Sequence, residues 1–308
     1  MDTRWIKVFG ERNTATRAVI RMIDASDGIQ GVAHPGVDDD QLEPYEKMLQ
    51  MVQAAYSGPW KRIYREAIKD IRAETIGALG TWKHGAPTYH PDYRASDVSV
   101  LFMVRNPYSW IVSLHQRPYH NLGRRGETLN TFLTFPWLTV GRDNVDRILP
   151  TPALLWPLKV RSYQVFEEAA CQDGVSCASL RFEDFVDNPM QSLTRSLQAL
   201  GIEDAQLRPV RASTKPFGKM ADDRRKYYAC EEWKGALTRD AVSHVNEMVD
   251  WDLAERYGYR QLRPADFPEE AASSHRERRP AAATRRRVRI LDDEAGANQL
   301  GRKINHRI

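Results

Sequence analysis

Cysteine is scarce in this chain of 308 residues, which has only Cys171, Cys177 and Cys230. Three irregularly spaced cysteines make neither a disulfide framework nor a zinc site, so a reduced, cytoplasmic protein is expected. The first residues carry no apolar signal region, and no stretch approaches the length of a membrane span. Also missing is a Gly-Lys-Ser/Thr loop for a magnesium triphosphate, together with an obvious metal-binding Asp on a following strand. That argues against a kinase of the P-loop type, and no metal is expected. No internal repeat is visible. Large apolar residues thin out after residue 260, where eleven Lys/Arg face seven Asp/Glu and the rest of the chain is charge-balanced. Residues 261–308 are therefore expected to be a disordered basic tail, since they cannot bury enough surface to offset ordering. No aromatic side chains interleave its arginine runs, which makes nucleic acid a weak expectation as partner.

The residues that remain, 1–260, are ordinary for a globular domain large enough to bury a core. Trp5–Phe9 reads as a buried strand, Gly10–Arg17 as a tight polar loop, and a helix follows from about Thr16. Such a junction aims free backbone N–H groups, helped by the helix dipole, at whatever lies in front of it. Arg12 and Arg17 add positive charge, and Thr14 and Thr16 add hydroxyls, so the loop suits a phosphate or sulfate. Helices are expected over about Pro44–Ala55 and Pro59–Arg72, and a short strand or strand end at Thr81–His84. Val98–Val104 is a nearly continuous apolar run fit for a central parallel strand, and a helix follows it from Tyr108 through His115. Residues 152–169 read as helix, Val175–Phe182 as strand, and two further helices lie near 190–200 and 242–249. The alternation predicts an α/β domain with a central parallel sheet covered on both faces.

Arg105-Asn106-Pro107 stands at the carboxyl end of that central strand, with Ser113 two turns into the next helix. Ligands of open α/β sheets bind at this edge, and an arginine fork with a hydroxyl suits a second phosphate. Two anion sites on successive units point to a nucleotide phosphorylated at two separate places.

At this point the chain resembles the sulfotransferases that use 3′-phosphoadenosine 5′-phosphosulfate (PAPS). Arg12-Asn13-Thr14-Ala15-Thr16, flanked by Arg17, is similar to their loop for the 5′-phosphosulfate. Arg105 and Ser113 match the spacing of their 3′-phosphate motif. Leu180-Arg181-Phe182-Glu183-Asp184 with Asn188-Pro189 is similar to the family's strand–Glu-Asp–Asn-Pro segment, whose aromatic residue, here Phe182, faces adenine. Arg224-Arg225-Lys226 ahead of Trp233-Lys234 resembles the basic loop that closes over the 3′-phosphate. The resemblance covers about residues 5–259 and implies a single P-loop-like three-layer α/β/α domain with PAPS as co-substrate. Ala15 departs from it, because many relatives have glycine there; if that position takes a positive φ, alanine is strained.

Sulfuryl transfer needs charge stabilisation on the departing 5′-phosphate and a base for the acceptor hydroxyl or amine. Arg12 is the candidate for the first task. His84, at the end of Trp82-Lys83-His84-Gly85, is the candidate base, an imidazole being suited to proton transfer near neutral pH. The resemblance gives Lys83 the role of polarising the sulfuryl group. A carboxylate base is the alternative to His84. The acceptor is expected to be a small molecule or a glycan, with no membrane partner. Alternative functions are a P-loop-type kinase or a non-catalytic nucleotide- or nucleic-acid-binding protein working through its tail.

Overall fold

The computed structural model describes residues 3–32, 39–119, 127–208 and 221–270. Strand β1 (Arg4–Gly10) leads into helix α1 (Thr16–Asp24) and returns as β2 (Ile29–Gly31). An excursion of helices α2 (Asp39–Ala55), α3 (Gly58–Ile76) and the short α4 (Asp92–Ala95) precedes β3 (Val98–Val104). Next come α5 (Pro107–Gln116), α6 (Leu129–Leu133), a small antiparallel pair β4 (Trp137–Leu138) and β5 (Ile148–Leu149), and α7 (Leu155–Gln172). Strand β6 (Cys177–Arg181) is followed by α8 (Phe182–Asp187), α9 (Pro189–Ala199), α10 (Ala221–Ala229), α11 (Arg239–Met248) and α12 (Trp251–Glu255).

The central sheet has four parallel strands in the order β2-β1-β3-β6. Its side chains alternate between two cores, as the pleat requires. Ile6, Val8, Leu101, Met103 and Leu180 face α1 and α9 on one side. Phe9, Val100, Phe102 and Val104 face Trp110 of α5, Tyr163 of α7 and Val245 of α11 on the other. The architecture is therefore the three-layer α/β/α arrangement expected. The strand order reverses direction between β1 and β3, so their carboxyl ends, with Gly10 paired to Met103, open onto the crevice where such sheets bind ligands.

Both Asn-Pro dipeptides start helices for the same reason. The Asn106 side chain accepts from the N–H groups of Tyr108 and Ser109, the Asn188 side chain accepts from Gln191, and proline fills the next position in each case.

Two expectations need correction. Thr81–His84 is a turn rather than a strand, closed by a 2.8 Å bond from Gly85 N–H to the Trp82 carbonyl. Its backbone contact with β1 is confined to the last residue of that strand, where Gly10 N–H reaches the Lys83 carbonyl at 2.9 Å, so no ladder propagates. The ordered body also runs past residue 260. Leu262 N–H donates to the Tyr108 hydroxyl at 2.9 Å, and the Pro268 carbonyl accepts from Arg239 N–H at 2.8 Å. By its internal contacts the chain divides into Met1–Ala272 and Ser273–Ile308. The tail expected to be disordered lies, from residue 271 onward, outside the described residues. Among the described residues, no helix is long and apolar enough to cross a membrane.

Candidate functional site

The loop after β1 turns so closely over β3 that only glycine fits at its start. A Cβ on Gly10 would lie 2.6 Å from the Met103 Cβ and 2.7 Å from the Thr16 Cγ2. Beyond it, Asn13 (φ 69°) and Ala15 (φ 65°, ψ 12°) are both left-handed, with Thr14 between them. Left-handed residues alternating with ordinary ones curl successive N–H groups toward one point, a nest for an anion. Helix α1 starts immediately afterwards with no side chain capping it. The orphan N–H groups of its first turn add to the nest. The buried Thr14 hydroxyl donates to the Glu11 carbonyl at 2.5 Å and closes the loop. Thr16 is buried as well, whereas Arg17 is exposed.

The Arg12 guanidinium lies 4.4 Å from the centre of the Tyr119 ring and 4.9 Å from that of Trp82. Its Nε is buried with no partner among the described residues. Trp82 also meets the Arg142 guanidinium, at 4.7 Å, and Arg142 is gripped by Glu66 and Asp70 of α3. The excursion of α2 and α3 thus reaches the site through charge pairs and one indole.

His84 packs edge-on against the same Trp82, with ring centres 5.1 Å apart. Its Nδ1 lies 2.6 Å from the Gly10 carbonyl. A carbonyl only accepts, so Nδ1 carries the hydrogen and Nε2 holds the lone pair. Burial drives the His84 pKa well below its ordinary value, and the charges of Arg12, Lys83 and Lys159 push the same way. The imidazole is thus neutral, in the tautomer a base needs. Lys83 also titrates low, because it is partly buried and faces Arg17 and Arg12.

At the second corner Arg105 is buried, and four of its five N–H donors are engaged inside the protein. Nε donates to Ser109 Oγ at 2.9 Å, Nη1 to the Asn13 carbonyl at 2.7 Å, and Nη2 to the Ser109 carbonyl and the Tyr228 hydroxyl. Its plane lies 4.3 Å from the Phe182 ring centre and 5.0 Å from that of Tyr228. Two hydroxyls, of Ser109 and Tyr228, thus hold Arg105, and Ser113, expected beside it at a 3′-phosphate, lies half-buried one turn beyond Ser109 along α5. Glu183 fixes this corner, accepting from Asn106 N–H at 3.1 Å and from the Tyr259 hydroxyl at 2.8 Å.

The structure brings Arg12, Asn13, Ala15, Lys83, His84, Arg105 and Phe182 to the crevice at the β1 and β3 ends. Arg225 and Lys226 sit differently: they belong to helix α10 rather than a loop, and both are exposed. Arg225 pairs with Asp187 at 2.8 Å on the surface. What α10 contributes to the crevice is Tyr228. A cavity of about 360 Å³ adjoins this corner, lined by Asn106, Arg181, Glu183, Tyr228, Trp233 and Tyr259, and it includes no residue of the anion loop.

Sequence reasoning missed Glu11, Asp143 and Lys159, a buried charge cluster beneath the loop. Its signal was available in α7, where a lysine interrupts the apolar stripe of Leu155, Trp156 and Tyr163. No protein-family model matches the chain, and no curated protein matches it.

Proposed function

We propose that the chain transfers a sulfuryl group from PAPS to a hydroxyl or amine acceptor. One observation carries the reading: a neutral histidine with its lone pair on Nε2 shares Trp82 with the arginine of an uncapped, nest-shaped anion loop. An anion cradle beside a base is what in-line transfer from an anionic donor requires.

The residues present fit the 5′ end of such a donor. The N–H groups around Asn13 and Ala15, the unpartnered Arg12 Nε, Arg17 and Lys83 would hold its phosphosulfate, which supplies an activated sulfuryl group on a phosphate leaving group. Arg12 and the loop N–H groups balance the charge that grows on that phosphate. His84 Nε2 takes the acceptor's proton, and the low-titrating Lys83 lies beside the same loop. No step of this scheme calls for a metal. Phe182 is the aromatic face offered to adenine. A 3′-phosphate would draw on Arg105 by displacing the Tyr228 hydroxyl, its longest partner at 3.1 Å. A small-molecule or glycan acceptor in the cytoplasm completes the proposal.

The test is calorimetric titration with adenosine 3′,5′-bisphosphate, the product nucleotide, against ATP and AMP. Saturable binding that ATP and AMP mimic poorly supports the reading. Absence of binding to the wild-type protein removes its main support.

A further inference from the structure

Lys159 is fully buried, and its ammonium reaches three oxygens: Glu11 Oε2 at 2.5 Å, Asp143 Oδ1 at 2.7 Å and the His84 carbonyl at 2.6 Å. Two of these contacts are hydrogen bonds, to Asp143 and to the His84 carbonyl, and Glu11 Oε2 is held as the partner of an ion pair. The acids are anchored in turn. Glu11 Oε1 accepts from Arg12 N–H and from the Tyr119 hydroxyl, and Asp143 Oδ2 accepts from Val140 N–H at 3.0 Å. A buried ion set is a poor source of stability, because the desolvation of each charge offsets the attraction between them. What it does well is fix geometry, and here it joins three segments that share no ladder: the first residue of the anion loop, the turn at Asp143, and the segment carrying His84.

We infer that Lys159 is the positioning residue for His84, holding its main chain so that Nδ1–H stays on the Gly10 carbonyl and Nε2 remains the proton acceptor. Residues 83–84 are otherwise tied to β1 by only two bonds, Gly10 N–H to the Lys83 carbonyl and His84 Nδ1–H to the Gly10 carbonyl. Lys159 anchors the His84 carbonyl directly, beside the bond from Ala86 N–H to the Asp143 carbonyl at 2.8 Å that ties the following residues to the same turn. The same ammonium holds Glu11, so a shift of the anion loop is transmitted to the base. The role of His84 as a base rests on the sulfuryl-transfer reading; its tautomer does not, and it is readable without substrate.

The experiment is long-range proton–nitrogen NMR on the full-length protein with labelled histidine, the His84 signals being assigned by loss in His84→Asn. Wild-type protein at neutral pH is expected to show the neutral Nδ1–H tautomer; an Nε2–H tautomer or an imidazolium overturns the proposal at once. Lys159→Met with Asp143→Asn preserves the net charge of the cluster and leaves Glu11 to its other partners. It is expected to convert His84 to mixed tautomers or to Nε2–H, while the near-ultraviolet circular dichroism spectrum stays that of the wild type. A folded double variant that keeps the wild-type tautomer overturns the proposal. If the double variant does not fold, Asp143→Asn alone decides: shifted or exchange-broadened His84 signals support the proposal, and unchanged signals overturn it. A wild-type protein with the expected tautomer and no bisphosphate binding would sink the sulfotransferase reading and leave the positioning role standing.

Discussion

Arg105 donates through Nη1 to the carbonyl of Asn13, 2.7 Å away and 92 residues earlier in the chain. Asn13 is one of the two left-handed residues of the anion loop, so the arginine of the second corner holds the shape of the first. The two motifs are one mechanical unit.

This relationship changes what an Arg105 variant reports. Arg105→Ala should lose adenosine bisphosphate affinity by well over tenfold, and should also lose about 2–3 kcal/mol of stability, because its hydrogen bonds to Asn13, Ser109 and Tyr228 and its stacking on Phe182 go together. Arg105→Lys keeps the charge but cannot reach Ser109, Asn13 and Tyr228 together. It should bind nearly as poorly as alanine. Calorimetry paired with urea unfolding checks both; a lysine variant with wild-type affinity would mean that charge alone is used.

Ala15 occupies the left-handed region in which a Cβ costs about 1–2 kcal/mol. Ala15→Gly removes that strain and supplies a better N-cap, and the greater entropy of the unfolded glycine chain offsets part of the gain. The expected net is a stabilisation of about 0.5–1 kcal/mol, seen as a small rise in Tm, with nucleotide affinity unchanged or improved. Ala15→Val should move both the other way. A fall in Tm for the glycine variant would show that the loop's curvature is not strained by alanine.

Much of this was readable before the fold was known, and the reason is locality. The run Val98–Val104 could only be an inner strand, and the loop's anion chemistry follows from a strand end meeting a helix start. The possible cost of alanine at position 15 depended on one dihedral angle, and that angle is positive. What stayed hidden depends on contacts between distant segments. Thr81–Gly85 has no periodicity because its partner is the end of β1, and the partners of Lys159, a charge in the apolar stripe of α7, come from three distant segments: Glu11, Asp143 and the His84 carbonyl. Ser109, which accepts from Arg105 Nε, carried no signal in the sequence because a guanidinium's partners are fixed only once strand and helix meet.

His84 links the site to acid stability. Burial first, and then the charges of Arg12, Lys83 and Lys159, hold its folded pKa well below 6.5. Below pH 6.5 the unfolded chain takes up a proton that the folded protein refuses. Stability is thus unaffected by His84 above about pH 6.5 and falls by up to about 1.4 kcal/mol per pH unit as acidity increases from there toward the folded pKa. His84→Asn keeps a donor for the Gly10 carbonyl and lacks the titration. It should lose less stability than wild type between pH 7.5 and 5.5 in urea unfolding; equal losses would show that His84 protonates freely in the folded state.

Lys7 gives the opposite end of the pH range. It points from β1 into the core, donates to the Leu79 carbonyl at 2.6 Å and lies 5.5 Å from the centre of the Phe9 ring. Burial, with Lys83 nearby, lowers its pKa from 10.5 to about 7. Below pH 7 both states carry the proton, and the folded protein bears the full cost of a buried ammonium. Between about pH 7 and 10.5 the unfolded chain binds the proton and the folded one sheds it, so the Lys7 contribution to stability improves as pH rises. Lys7→Met removes the charge and the titration together, at the expense of one hydrogen bond to Leu79. The variant should therefore exceed wild type in stability at pH 6.5 by on the order of a few kcal/mol, and the gap should narrow steadily toward pH 10. Taking the difference between the two proteins cancels the tyrosines, which are common to both and begin to titrate near that limit. A gap that is constant across the range would show that Lys7 stays charged in the folded protein, held by an anion rather than by the Leu79 carbonyl.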